Sequence, residues 1–187
     1  MSTENIAVVR RVYDEVINQG QLEVADEVTT PTAQIHVPFD HPGSGSAGLK
    51  KIASSLREGF PDITIEVEDV FAAEDKVVAR WHTVRQTHEG VYRGLPPTGK
   101  EVEVSAIQIF RFEDGRIAEF WLEMDQLGAI RQMGVVAPEH LRGPRLGLFV
   151  LGSVFRMAFL EAKHGVTSKR KAKRSTAEDE RVPKAAG

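Results

Sequence analysis

Apolar residues recur every three or four positions through Ile6, Val9, Val12, Tyr13, Val16 and Ile17. That period predicts an amphipathic helix over Asn5 to Asn18, with Gly20 placed for its C-terminal end. Leu22 to Val28 reads as a second short helix, ended at Thr30-Pro31 because a residue before proline avoids helical angles. Gln34 to Val37 is a short strand, and Asp40 to Ser46 is a loop by composition. A third helix, Ala47 to Phe60, turns Leu49, Ile52, Leu56 and Phe60 to one side and stops at Pro61. From there the period changes to two. Ile63 to Ala72 and Lys76 to His88 alternate as strands, and Gly94 to Lys100 (GLPPTGK) is a turn-rich connection.

The longest alternating stretch is Val102 to Asp125, with Asp114-Gly115 at its centre as a two-residue hairpin turn. With Glu113 paired to Arg116 and a regular ladder, Gln108 lies opposite Trp121 and Ala106 opposite Glu123. One face then carries Ile107, Ile109, Ala118, Phe120, Leu122 and Met124. The other carries Gln108, Phe110, Glu119, Trp121, Glu123 and Asp125, a mixture of aromatic, amide and acid groups that suits a solvated sheet face or, since Trp and Phe are seldom spent there, a pocket lining. A one-residue bulge would exchange the faces. Asp125 to Gly134 adds a short helix. Helices followed by an antiparallel meander give an α+β order, a curved sheet wrapped round the N-terminal helices.

Residues 1–134 form one domain on this pattern, and residues 135–187 depart from it. Val135 to Pro144 reads as a linker. Leu146 to Ala162 is an apolar helix, shorter than the roughly 20 residues that span a bilayer and interrupted by Arg156. Lys169 to Arg174 (KRKAKR) is a basic run in a polar, disordered end. The charge divides in the same place. Residues 1–134 hold 13 Lys+Arg against 22 Asp+Glu, and residues 135–187 hold 11 against 5, which together give the net −3. An acidic body is a poor partner for nucleic acid. The segment 146–174 is a candidate for a peripheral membrane or protein contact.

The chain has no cysteine, which excludes disulfides, thiolate metal sites and cysteine nucleophiles. MSTENIAVV has neither a basic start nor a long apolar run, so no signal peptide is expected and a cytoplasmic setting is.

Several stretches carry a resemblance. They are Val9 to Gly20, Arg80-Trp81-His82, Thr87-His88, Gly94 to Gly99, Ile107 to Phe112, Asp114 to Ile117, Trp121 to Asp125 and Gln132-Met133-Gly134. Together they resemble the SnoaL-like polyketide cyclase and ester cyclase group of the NTF2-like superfamily over about residues 4–134. The resemblance implies a cone-shaped α+β barrel with an internal pocket, chemistry without a cofactor or metal, a small hydrophobic polyketide-like substrate, and a homodimer through the sheet. It implies acid/base enolate chemistry leading to cyclisation or isomerisation. The same superfamily also holds non-catalytic ligand-binding and scaffold modules, which is the alternative reading.

Asp125 matches the pocket aspartate that acts as acid/base in these cyclases. Beside Trp121 its carboxylate would be partly desolvated, and it is equally placed to cap the helix that begins there. Arg80 and His82 lie two apart and share a strand face, positioned to orient a substrate or stabilise negative charge. Their spacing resembles an epoxide hydrolase triad, but His82 stands where that family has aspartate. Tyr13 and Gln108 resemble the oxyanion positions of ketosteroid isomerase, but Val37 stands where its base should be, which argues against that isomerase. The pair could still donate hydrogen bonds to an enolate oxygen, and Tyr13 is equally placed to be a core residue. Trp121, Phe110, Phe39 and Glu123 complete the expected lining. His36, Asp40 and His41 lack a third firm ligand and read as a rim loop rather than a metal site. His88 is expected to shape a turn.

Overall fold

The computed structural model describes residues 2–39, 42–137, 140–155, 158–160 and 162. The chain divides into two units, Met1–Val136 and Ala137–Gly187.

Helix α1, Ser2–Arg11, continues as a wider π-helical segment, Val12–Asn18. Val9, Val12, Tyr13, Val16 and Ile17 are all buried, so the three- and four-residue period marks the face that packs. Gly20 ends it at φ 73°. Arg57 closes the same end by donating to the carbonyls of Ile17 and Asn18 at 2.9 and 2.8 Å, two of the acceptors a helix terminus leaves open. Helix α2, Val24–Val28, runs into strand β1, Thr29–His36. Helix α3, Gly45–Gly59, buries Leu49 and Ala53, with Ile52 and Leu56 packed against the same core.

The other strands are β2, Thr64–Ala73, β3, Lys76–Arg85, β4, Ser105–Glu113, and β5, Arg116–Met124. They form one curved sheet in the order β1-β5-β4-β3-β2. Two features differ from the expected antiparallel barrel. The sheet stays open, and β1 pairs with β5 in parallel. β1 is also longer than expected and holds Pro31. A proline is tolerated there because β1 is an edge strand and its register shifts between Thr29 and Gln34.

The hairpin turn is as the sequence indicates. Asp114 and Gly115 both have positive φ, 46° and 75°, and Glu113 pairs with Arg116. The ladder beyond it is not regular. Phe112 pairs with Ile117 but Arg111 pairs with Glu119, so Ala118 is a bulge. Gln108 therefore lies opposite Leu122, and Trp121 opposite Ile109. The inner face carries Ala106, Gln108, Phe110, Phe112, Phe120 and Leu122, while Ile107, Ile109, Trp121 and Glu123 look outward. Of the face expected to line a pocket, β4 keeps Gln108 and Phe110 inside, while along β5 the faces are exchanged, Phe120 and Leu122 turning in and Trp121 and Glu123 out.

Between β3 and β4 the chain is irregular, so β3 ends earlier than expected. This connection is pinned at Thr87 and His88. Asp62 accepts the Thr87 backbone N–H at 2.8 Å and its hydroxyl at 2.7 Å. His88 is fully buried against Phe60, and its Nδ1 accepts the Thr98 N–H at 3.3 Å. His88 thus holds the GLPPTGK turn in place. Helix α4, Gln126–Gln132, closes the unit. In the second unit the described residues of Gly143–Leu160 are helical. Asp40, His41 and the basic run Lys169 to Arg174 lie outside the described residues.

Candidate functional site

Between the inner face of the sheet and the helices lies a partly open cavity of about 80 Å³. Ile17, Leu49, Ile52 and Leu56 come to it from the helices, and Val104, Leu122 and Met124 from the sheet side. Such a lining suits a small, mainly apolar ligand held by a few polar groups.

Those polar groups are Tyr13, Trp81, Thr83, Gln86, Tyr92 and Gln108. The Tyr13 hydroxyl donates to Gln108 Oε1 at 2.8 Å, a bond between the π-helical segment and β4. Tyr13 is 2% exposed, and burial pushes its phenol well above the ordinary value. It therefore keeps its proton at neutral pH and is a donor rather than a base. Its ring meets Phe110 edge-on, with centroids 6.2 Å apart, and Trp81 at a tilt, 6.1 Å apart. The Trp81 indole N–H is buried beside the Tyr13 hydroxyl, close enough to oppose part of the rise in the Tyr13 pKa, but it makes no hydrogen bond of normal geometry among the described residues. A buried donor left unbonded is costly, and one that lines a cavity is available to a ligand oxygen. Thr83 is committed elsewhere, since its hydroxyl oxygen accepts the Val104 N–H at 2.9 Å. Among the described residues lining the cavity there is no Asp, Glu, His, Lys or Arg.

The structure brings together Tyr13, Gln108 and Phe39 at this cavity, with Phe110 packed behind Tyr13. It separates the others. Arg80 and His82 lie on the outer face of β3, because Val77, Ala79, Trp81 and Thr83 take the inner one. There Arg80 bonds Asp69 at 2.7 Å and pairs with Glu68, and His82 Nδ1 is 3.4 Å from Glu68. Trp121 and Glu123 line a shallow, open depression with His36, Pro38 and Phe39, as the Ala118 bulge requires. His36 stacks flat on Trp121 at 5.3 Å and bonds Glu119 at 2.8 Å. Hydrogen bonds from His36 and Arg111 hold the Glu119 carboxyl below its usual range. Asp125 is exposed and caps α4, its Oδ1 accepting the Gly128 N–H at 2.8 Å. Its neighbours Met124 and Ala129 do line the cavity.

Sequence reasoning missed Trp81, Gln86 and Tyr92 as lining residues. The signal for Trp81 was present: if Arg80 and His82 share one face, Trp81 and Thr83 share the other. Arg93, also missed, stacks its guanidinium 3.5 Å from the Phe39 ring centre and 5.1 Å from that of Tyr92, tying two lining aromatics together.

The profile described as SnoaL-like polyketide cyclase matches residues 7–133. Among solved structures, an assigned SnoaL-like polyketide cyclase from Jannaschia sp. CCS1 is 27% identical. The alignment covers 71% of this chain and 92% of that one, with a TM-score of 0.65. An assigned polyketide cyclase from Bacillus cereus ATCC 10987 is 30% identical over 72% of this chain and 83% of its own, with a TM-score of 0.62. IdmH from Streptomyces antibioticus, also assigned as a polyketide cyclase, is 30% identical over 70% of this chain and 98% of its own, with a TM-score of 0.59. No functionally curated protein matches.

Proposed function

Because the chain belongs to the SnoaL-like polyketide cyclase family, with the NTF2-like fold, we propose that it cyclises or isomerises a small, largely apolar, carbonyl-bearing molecule through an enolate. The observation that carries this reading is the buried Tyr13–Gln108 hydrogen bond beside the unbonded Trp81 N–H, inside an otherwise apolar cavity. A carbonyl oxygen entering there takes the Trp81 N–H and competes with Gln108 for the Tyr13 hydroxyl. As a proton leaves the adjacent carbon, charge builds on that oxygen, and the two donors stabilise it in a site that excludes water. The resulting carbon nucleophile attacks a second carbonyl of the same molecule, and the removed proton returns to the new alkoxide.

In this proposal Asp125 is the proton carrier. Its Oδ1 accepts the capping N–H; the carboxylate is exposed and outside the lining, but Met124 just before it and Ala129 four residues on both line the cavity. Asparagine caps a helix about as well as aspartate, so Asp125→Asn separates the two roles. The variant is expected to melt like the parent and to lose turnover by about 10²–10⁴-fold, the usual worth of general acid/base catalysis. Full turnover in Asp125→Asn would leave Asp125 as a cap alone.

A second reading, a ligand-binding module without turnover, is favoured by the absence of an acid or imidazole among the described lining residues. The two readings part on a substrate panel: ligand binding with no product from any cyclisable diketone supports the carrier. We further propose a cytoplasmic protein that pairs through the outer face of the sheet, where Phe71 and Ile107 are at least half exposed. Ile107→Glu is expected to convert a dimer to a monomer in light scattering.

A further inference from the structure

The helical segment Gly143–Leu160 belongs to none of the cyclase architecture, since the family match ends at residue 133. Over its 18 residues the mean hydropathy is 1.3, and none of it is buried. Leu148, Val154, Phe155 and Phe159 are each more than half exposed. An apolar surface of this extent left in water marks an interaction site. At about 1.5 Å per residue its 18 residues reach about 27 Å, just short of the roughly 30 Å hydrocarbon core of a bilayer. Its sequence carries two charges, Arg145 and Arg156. Beyond this helix the sequence is cationic: Lys163, Lys169, Arg170, Lys171, Lys173 and Arg174, with no acidic residue between Ala162 and Arg174.

We propose that this extension docks the protein on an anionic lipid surface. The Gly143–Leu160 helix lies in the interface plane, and the cationic sequence that follows it supplies the attraction to anionic headgroups. Charge chooses this occupant over a second copy. A second copy would bring a like-charged cationic segment alongside, whereas anionic headgroups neutralise it and accept the apolar face together. The acidic body, at −9 over residues 1–134, is repelled by the same surface, so the contact is confined to the extension.

The test is sedimentation of the full-length chain with phosphatidylcholine vesicles, with and without about 30% phosphatidylserine, at low and high salt. Binding to the anionic vesicles alone is expected, falling at least about tenfold when Lys169, Lys171 and Lys173 are changed to Glu, or when salt is raised to about 0.5 M. Leu151→Asp with Phe155→Asp is expected to abolish binding, with thermal unfolding of the body unchanged. Equal binding to neutral vesicles, or binding to neither, overturns the proposal. So does carbonate-resistant membrane insertion, which would mean spanning. A fall in oligomer mass in the Leu151/Phe155 variant without lipid would make a second copy the occupant and overturn it as well.

Discussion

Asp125 accepts the Gly128 N–H at the start of α4, a contact worth about 1 kcal/mol to a helix. Asp125→Ala should therefore lower the melting temperature and abolish turnover together, where Asp125→Asn changes turnover alone. Gly128 supports the same carboxylate from below, since a Cβ there would run into it. Gly128→Ala is expected to displace Asp125 and reduce kcat more than it raises KM. Tyr13 makes a different trade. Tyr13→Phe leaves the Gln108 carbonyl without its donor in a buried site, at a cost of about 1–3 kcal/mol. Its expected kinetic signature is a loss of about 10²-fold in kcat with KM little changed, as for removal of an oxyanion donor. A variant that loses stability but keeps kcat would reduce the pair to a structural bond.

At the scale of elements, the connection between β3 and β4 carries a pH dependence. His88 is fully buried, and burial lowers its pKa from 6.5. The unfolded chain then binds a proton in a range where the folded chain does not. Stability is complete above about pH 6.5 and declines as pH falls towards the folded value, by at most about 1.4 kcal/mol per pH unit. The window lies above that of Glu119, whose lowered carboxyl titrates later on acidification. Melting temperatures measured between pH 7 and 5 should slope downward in the parent and flatten in His88→Gln. An equal slope in both would remove His88 from the account. The elements were largely legible because periods of three to four and of two are written in buried side chains. Part of the site was not. The Ala118 bulge leaves no mark in composition, yet it shifts the register by a residue and sends Trp121 and Glu123 outward, away from Gln108, which lines the cavity as expected. Arg80 and His82 were placed together correctly, but only packing against α1 decides which face of β3 is the inner one. Parallel pairing of β1 was hidden for a similar cause, since Thr30-Pro31 signals a break while an edge strand tolerates it.

Across the whole molecule, an acidic family domain is followed by an apolar and then cationic extension, and each has its own partner in this account. The domain's claim is the more basic one: the ligand enters the cavity beside Trp81 and not the open depression beside Trp121. The chain has only these two tryptophans, one lining each hollow. Fluorescence titration with aryl methyl ketones such as 2-acetylnaphthalene therefore reads the site directly. In Trp121→Phe protein, which retains Trp81, a saturable change in emission is predicted, and in Trp81→Phe protein no saturable change. A response confined to the protein that retains Trp121 would place the ligand on the outer face and contradict the account.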